Sequence, residues 1–503
     1  MKPYYITTPL YYVNDVPHIG HAYTTIAADI IARWNRMKGK KVFFLTGTDE
    51  HGAKIATAAE KTGETTQNFV NRIANEYRNT WKTLNISYDD FIQTSEPRHK
   101  KVVQEVFEKL KNTGDIYKGT YEDWYCMSDE SYFAEADLVD KKCPSCGRDV
   151  QKLKEESYFF KLSKYEKPLL EYFEKNPDFL SPRSRGSEII NFVKSGLRDL
   201  SVSRTRVSWG VPIESDPPHT VYVWFDALLN YISAPPAEAW PADVHLVGKE
   251  IFRFHTVIWP AMLMALEKPL PTKVFAHGWW TVDGTKMSKS LGNVVDPTKM
   301  SEEYGVDAFR YFLFREVPFG ADGDFSEKSL LTRYNAELAN NLGNLLQRTL
   351  TLMTKNFQGV IPSSSNPITT LSELKTLAQL IDSQYQKLAL GEVLETLFGL
   401  MIKTNKFIDE QAPWKLGSDN KEQLGHILLE CLSVIKVLAV YLHPFMPGKT
   451  QEIWTRLGEN EPLVFQSPAL LALFAEGTCP QFFSQQTIQS GDPLFMRKGA
   501  RWK

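Results

Sequence analysis

Pro17-His18-Ile19-Gly20-His21 lies between a β-rich stretch and the first turn of a helical pattern. A helix start presents backbone N–H groups without intrahelical partners and about half a positive charge, and a glycine there lets a ligand come close. Two histidines at such a start can hydrogen-bond phosphate oxygens, although an isolated H-x-G-H string also suits a helix that merely begins with polar residues. Downstream, Lys286-Met287-Ser288-Lys289-Ser290 follows the turn Asp283-Gly284. Two ammonium groups on a loop can follow a charge that grows during a reaction, such as that on a pyrophosphate leaving the α-phosphate of ATP, and stabilise it more than the ground state. A solvated turn would explain a lone K-x-x-K. Each string occurs once, however, and each follows a strand as its chemistry requires, which favours a nucleotide-handling centre. A third cluster pairs Cys126 with Cys143-Pro144-Ser145-Cys146-Gly147, in which C-x-x-C-G is half of a tetrahedral zinc site.

These groups need a scaffold, and the apolar periodicity supplies one. Tyr4 to Leu10 reads as a strand, and a helical pattern from His18 to Lys38 repeats Ala22, Ile26, Ile30 and Ala27, Ile31, Trp34 at helical spacing before Gly39 closes it. Val42 to Thr46 reads as a buried strand, so the first 50 residues form a β-loop-α-β unit of a parallel sheet, whose ligand edge is the carboxyl end of its strands. From about Tyr117 to Pro218 short alternating runs, cysteines and turn residues read as an insertion. The α/β pattern then returns, with strands expected at Val221 to Phe225, His245 to Val247 and Lys273 to Trp280, and a helix from Ile251 to Leu266. Beyond Leu330 helical periodicity dominates, broken by the linker Gly359 to Pro367, which predicts an α-helical bundle. No internal repeat is evident.

Composition narrows the function classes. The 503 residues argue for several domains rather than one small binding module. With 43% hydrophobic, 23% charged and 12% aromatic residues the chain is ordinary folded protein. Lys+Arg of 58 against Asp+Glu of 60 gives a net charge of -2, so a nucleic-acid surface must be local. The stretch Arg183 to Arg206 is such a place: Arg183, Arg185, Lys194, Arg198, Arg204 and Arg206 stand against Glu188 and Asp199, as phosphate contacts or as a solvated face. The N-terminus lacks the basic and apolar regions of a signal peptide, and five cysteines, three of them clustered, suit a metal site in a reducing compartment, so a cytoplasmic location is expected. The most apolar helix candidate, His426 to Leu442, spans about 17 residues and contains Glu430 and Lys436, too short and too charged for a bilayer span, so no membrane is expected.

The strings His18-Ile19-Gly20-His21 and Lys286-Met287-Ser288-Lys289-Ser290 resemble the two signatures of the class I aminoacyl-tRNA synthetases. The resemblance extends through Leu10-Tyr11-Tyr12-Val13-Asn14, Thr46 to Gly52, Val223-Trp224-Phe225-Asp226-Ala227, Gly248-Lys249-Glu250, His255 to Pro260 and Ala412-Pro413-Trp414, nearly the whole chain. The Trp224 and His255 segments resemble the methionine-activating members. The resemblance implies an α/β fold with a split Rossmann-type catalytic domain over 1–116 and 219–280, a connective insertion with a cysteine knuckle over 117–218, a signature-loop and stem-contact region over 281–330, and an all-α anticodon-binding domain over 331–503. The function it implies is ATP-dependent activation of L-methionine to its adenylate and transfer to the 3′ adenosine of methionine tRNA.

Carried over residue by residue, the resemblance assigns catalysis to His18, His21, Lys286 and Lys289, with Gly20, Gly248, Glu250 and Ser288 joining them around ATP, which enters with Mg2+. Glu250 stands where the family usually has aspartate. Asp49, at the carboxyl end of its strand, would bind the amino-acid ammonium, and Leu10, Tyr12, Trp224, Ala227, Tyr231, His255 and Ile258 resemble the methionine pocket, where aromatic walls suit a polarizable thioether and a phenol can donate to sulfur. Asn344 and Arg348, four apart on one helix face, and Trp414 match positions that read an anticodon by stacking and base-edge contacts. Related knuckles have a cysteine where Asp129 stands here, which leaves two readings: a Cys126/Asp129/Cys143/Cys146 zinc site, or a knuckle without metal. The end at Lys503 leaves no room for the dimerising module some members append, so a monomer is expected. The rivals are a class I synthetase for cysteine or a branched aliphatic residue and a non-catalytic tRNA-binding relative. The roughly 100-residue insertion is small for the hydrolytic domain of branched-chain enzymes, a cysteine enzyme needs a metal facing its substrate, and both signatures are intact.

Overall fold

The computed structural model describes residues 2–14, 16–127, 131–133, 135–144, 146–287, 292–362, 366–416, 420–479 and 486–499. The chain divides into two units: Met1–Pro17, Phe43–Trp81 and Tyr88–His277 form the first, and His18–Val42, Lys82–Ser87 and Gly278–Lys503 the second.

The first unit is built on a parallel sheet in which Tyr4–Thr7 lies between Val42–Asp49 and Val244–Gly248, followed outward by Val274–His277 and Leu180–Ser181. Val42–Asp49 also pairs with Asp90–Gln93 and, at Thr48 and Asp49, with Tyr11–Tyr12. Its strands read as continuous apolar runs because both faces are covered; every residue of Val244–Gly248 is buried. The insertion is an antiparallel sheet in the order Ser131–Phe133, Ile116–Cys126, Gln151–Phe160, Leu200–Ser201. Its central hairpin pairs from Ile116 against Phe160 to Tyr125 against Gln151.

Three sequence expectations change. Val221 to Phe225 is not one strand: Thr220–Val221 ends at the extended Tyr222, and Val223–Leu228 is helical, so Trp224 and Ala227 ride on a helix. A short apolar run does not distinguish strand from helix by periodicity. Ile251 to Leu266 is a composite, with a π-helical turn at Phe254–Ile258 leading into the α-helix Trp259–Ala265. The run Lys273 to Trp280 breaks at Gly278 into Val274–His277 and Trp280–Val282, strands of different sheets. A Cβ on Gly278 would lie 2.3 Å from the Ala321 carbonyl oxygen, so only glycine allows that approach.

In the second unit the helix Ile19–Met37 is held by a buried charge network. Asp29 accepts from Arg33 at 2.7 Å, from Arg310 at 2.6 Å, and from the Ser87 backbone and hydroxyl at 2.7 and 2.6 Å. Arg310 also donates to the carbonyls of Leu84, Pro444 and Phe445. Burial would raise the Asp29 carboxyl, but the two guanidinium groups outweigh it and hold it well below the carboxylate range. Trp34 stacks on Tyr385 at 4.2 Å. A small sheet of Thr285–Lys286, Trp280–Val282 and Gly323–Phe325 precedes the helices. The longest are Leu390–Gln411 and Lys421–Leu442, 22 residues each.

Lys421–Leu442 is therefore longer than its sequence suggested, because a polar first turn precedes the apolar run. By length and composition it is the one helix among the described residues that could cross a membrane. Every residue from Glu430 to Leu442 is buried within the protein, as in a core helix. Its two buried charges have partners: Glu430 accepts from the Thr369 and Thr370 backbones at 2.7 and 2.8 Å, and Lys436 meets Glu459 at 2.6 Å.

Candidate functional site

In the second unit, His18 is the N-cap of Ile19–Met37, and its Nδ1 accepts the Gly20 N–H at 3.0 Å. The His21 Nδ1 accepts the His18 N–H at 3.3 Å, completing a reciprocal capping box, and the two rings stack at 3.8 Å. Because both Nδ1 atoms accept, each neutral ring carries its proton on Nε2, as a donor. Burial, reinforced by the neighbouring His18, pushes the His21 pKa well down. A Cβ at Gly20 would stand 2.9 Å from His18 Cε1, so a larger residue would push the capping ring aside.

The lysine string starts from a hairpin that the sequence specifies. Asp283 and Gly284 both have positive φ, 47° and 72°, the type I′ turn favoured by Asp-Gly between twisted strands. Thr281 pairs with Lys286 and Val282 with Thr285. Asp324 accepts from the Gly284 N–H at 2.8 Å and the Thr281 hydroxyl at 2.6 Å. Within this unit Tyr23 of the histidine helix packs edge-on against Trp280 at 5.4 Å, and the Ile19 N–H donates to the Val295 carbonyl at 3.1 Å. The helix start is thus tied to both flanks of the lysine segment. Ser288 and Lys289 lie outside the described residues, and of Lys286 only the backbone is described.

The predicted amino-acid pocket lies in the first unit. Tyr12 pairs with Asp49, and Leu10, just upstream, is packed against the core. Trp224 stacks on Phe254 at 4.0 Å, while Ala227, Tyr231, His255 and Ile258 are buried. His255 Nδ1 donates to the Ile251 carbonyl at 2.9 Å, so Nε2 is the acceptor for the Tyr231 hydroxyl at 2.7 Å. Burial lowers the His255 pKa to about 4, partly opposed by the Ile251 hydrogen bond, and the ring is neutral. The Tyr231 proton is therefore committed to His255, so a phenolic donor to sulfur would have to be Tyr12. The π-helical turn bends the backbone where it presents His255 and Ile258.

Gly248 closes its strand and Glu250 follows in a short exposed turn, its carboxylate lying 2.3–2.5 Å from where a Cβ on Gly248 would be. Lys249, Glu250, Arg253 and Phe254 border a cavity of about 600 Å³ together with Arg185 and Arg204. Of the two sequence readings of the basic stretch, a solvated face does not hold at Arg204: it is 6% exposed, stacks on Tyr222 at 4.2 Å and donates to Ser201 Oγ and the Ser203 carbonyl at 2.9 and 2.8 Å.

The helical third brings its three predicted residues to one corner. Asn344 and Arg348 occupy the helix Asn344–Phe357, and the Arg348 guanidinium sits 5.0 Å from the Trp414 ring centre while pairing with Asp409 at 2.6 Å. Trp414 follows Ala412, whose left-handed backbone (φ 43°, ψ 53°) ends Leu390–Gln411 and turns the tryptophan outward, 49% exposed. The sulfur atoms of Cys126, Cys143 and Cys146 lie within 4.8 Å of one another. Cys126 ends a strand, and Gly147 with φ 69° turns the knuckle after Cys146. Asp129 lies outside the described residues.

Sequence reasoning stopped at Asp49 and missed its two successors. Glu50 is fully buried and accepts from Thr48 at 2.7 Å, from Gln93 at 2.8 Å and from Ser95. His51 and Asp226 form a buried pair that the strings Asp49-Glu50-His51-Gly52 and Trp224-Phe225-Asp226 contained in plain view.

Comparison with known proteins agrees with this geometry. The family model for tRNA synthetases class I (M) matches residues 4–155 and 149–350, and that for the anticodon-binding domain of tRNA ligase matches 369–476. A methionine–tRNA ligase of Caldanaerobacter subterraneus subsp. tengcongensis is 48% identical over 99% of this chain and 79% of its own length. One from Rickettsia felis is 48% identical over 91% of this chain and 92% of its own. The structure of Mycobacterium tuberculosis methionyl-tRNA synthetase in complex with methionyl-adenylate superposes with a TM-score of 0.92 at 38% identity, covering 99% of this chain and 100% of the other. With its capped histidine helix, lysine hairpin and helical third, the chain belongs to the methionyl-tRNA synthetase family, the methionine–tRNA ligases among the class I aminoacyl-tRNA synthetases.

Proposed function

We propose that the chain activates L-methionine with ATP and transfers the methionyl group to the 3′ adenosine of methionine tRNA, initiator and elongator alike. A methionine carboxylate oxygen attacks the α-phosphorus, a P–O bond forms and the bond to pyrophosphate breaks, giving methionyl-adenylate. A terminal ribose hydroxyl then attacks the activated carbonyl, its proton is lost and AMP leaves.

The neutral Nε2–H donors of His18 and His21 hold phosphate oxygens without the cost of a buried charge, and Gly20, which has no side chain, leaves room for them to approach. Lys286, Ser288 and Lys289 take up the charge that grows on pyrophosphate. Asp49 binds the substrate ammonium, the wall of Leu10, Tyr12, Trp224, Ala227, Tyr231, His255 and Ile258 takes the thioether, and Gly248 and Glu250 face the ribose. ATP enters as its Mg2+ complex. Asn344, Arg348 and Trp414 read the anticodon within an anticodon-binding domain proposed over 331–503, after the split catalytic domain, its insertion and the 281–330 segment. A cytoplasmic location follows from the tRNA substrate. Three converging thiols fit the soft side of zinc's donor preference, and Cys126, Cys143 and Cys146 would hold it with Asp129 as fourth ligand, a structural role in the insertion.

The observation that carries this reading is the reciprocal histidine cap, tied by Ile19 and Tyr23 to the flanks of the lysine segment. ATP–pyrophosphate exchange run with all twenty amino acids tests it. Exchange driven by methionine supports the assignment; exchange driven by cysteine or a branched aliphatic residue, or none, overturns it.

A further inference from the structure

We propose that Asp226 is a positioning residue of the amino-acid pocket: by accepting one hydrogen bond from each of two buried histidines it locks the segment carrying Asp49 to the helix carrying Trp224 and Ala227. This rests on the pocket assignment made above. Asp226 lies in the helix Val223–Leu228, its side chain inaccessible to solvent. Its Oδ2 meets His51 Nδ1 at 2.6 Å, and its Oδ1 meets His99 Nε2 at 2.9 Å. His51 stands two residues after Asp49, and His99 lies in the helix Pro97–Asn112, where its Nδ1 meets the Ser233 hydroxyl at 2.8 Å. Three chain segments therefore converge on one carboxylate.

A carboxylate accepts only, so both facing imidazole nitrogens carry protons. Burial by itself would raise the Asp226 carboxyl, but the His51 imidazole and the hydrogen bonds from both histidines outweigh it and hold it at about 2, ionised under any working condition. Apolar packing joins a loop to a helix at less cost than a buried ion does. What the ion adds is direction, since it fixes ring orientation and tautomer. His51 is held with its Nδ1–H on the carboxylate, and its buried Nε2 has no hydrogen-bond partner among the described residues. On the other side of the loop, Trp209 donates to the Glu50 carbonyl, accepts the Gly52 N–H at 3.0 Å, and turns its ring edge to His51 at 5.8 Å. Asp49 is thus followed by a loop clamped from both faces.

Asp226→Asn tests the role while keeping the shape: one histidine would face an amide N–H and have to change tautomer or turn. The Michaelis constant for methionine in pyrophosphate exchange should rise about 10- to 100-fold, as expected for losing a hydrogen bond to a charged group, while that for ATP moves less than about threefold. His51→Ala should do the same, and His51→Asn, whose amide nitrogen overlays Nδ1, should recover most of the loss. Nitrogen-15 histidine spectra of the intact protein should show the two imidazole protons that His51 and His99 give to Asp226, one of which disappears in Asp226→Asn. An unchanged constant for methionine overturns the proposal, as does a parallel rise in both constants with a lowered melting temperature, which marks a purely structural tie. Trp224→Ala run alongside separates the premises: if it too leaves the constant for methionine unchanged, the pocket assignment fails, and if only Asp226→Asn does, this inference fails alone.

Discussion

At the start of Ile19–Met37 each histidine Nδ1 already has a backbone donor, and the helix behind it is anchored by Asp29 and two guanidinium groups. At the corner of Arg348 and Trp414 the aromatic face is half exposed, Asn344 is exposed, and the guanidinium is anchored by a single surface carboxylate, Asp409. Under the proposed function the two regions do different work. Stabilising a charge that exists only in a transition state needs donors oriented before the reaction begins, because reorienting them during it would consume the gain. Reading a splayed base needs a flat face open to solvent until the nucleotide arrives.

The largest test of this contrast is Lys286→Ala, which should slow adenylate formation by about 10²–10³-fold, some 3–4 kcal/mol of barrier, with methionine affinity nearly unchanged. Rapid-quench measurement of the adenylate decides it, and an unchanged rate would remove the lysine from the charge-stabilising group. His21→Ala should follow in the same assay, its loss falling on the rate rather than on ATP affinity; equal losses in both would make it a ground-state contact.

Trp414→Ala should weaken tRNA charging by about 1–3 kcal/mol in kcat/KM, the worth of one stacked base, and leave pyrophosphate exchange intact. If both activities fall together, the tryptophan is packing and the contrast collapses.

A smaller effect concerns stability. His255 is buried and neutral with a pKa lowered to about 4, so between its ordinary value near 6.5 and that point the unfolded chain binds a proton the folded chain does not. Stability contributed by this group is present above about pH 6.5 and declines as pH falls through the window, by at most about 1.4 kcal/mol per pH unit. His21, His245 and His443, also lowered by burial, add in the same direction. Urea midpoints measured across that range should decline toward acid, and less steeply in His255→Gln. Smallest for catalysis is Cys143→Ser: bound zinc measured by elemental analysis should drop from about one per chain, while adenylate formation survives.

Much of the arrangement was legible beforehand because it is local. A histidine that caps its own helix through Gly20, an Asp-Gly hairpin before a lysine string, and a C-x-x-C-G turn depend on neighbours a few residues away. The composite helix from Lys249 to Ala265 and the break at Gly278 were not legible: a continuous apolar run carries no mark of a π-helical turn, and the break depends on the approach of Ala321, distant in sequence. Arg204 read as one more surface cation because charge alone carries no information about depth, and the membrane-length helix Lys421–Leu442 read as shorter because its polar first turn hid its start.

By itself the sequence determined which residue types stand at the helix start, the hairpin and the cysteine knuckle, and from these the class of chemistry, because capping, turn formation and metal-ligand spacing act over a few residues. Only the tertiary structure decided that Asp226 meets His51 and His99 from 175 and 127 positions away, that the Tyr231 proton is spent on His255, and that Arg310 reaches Asp29 across 281 residues. Those pairings are set by how the sheet and helices pack, and the direction of a hydrogen bond in a dry interior is fixed by the partner that packing delivers.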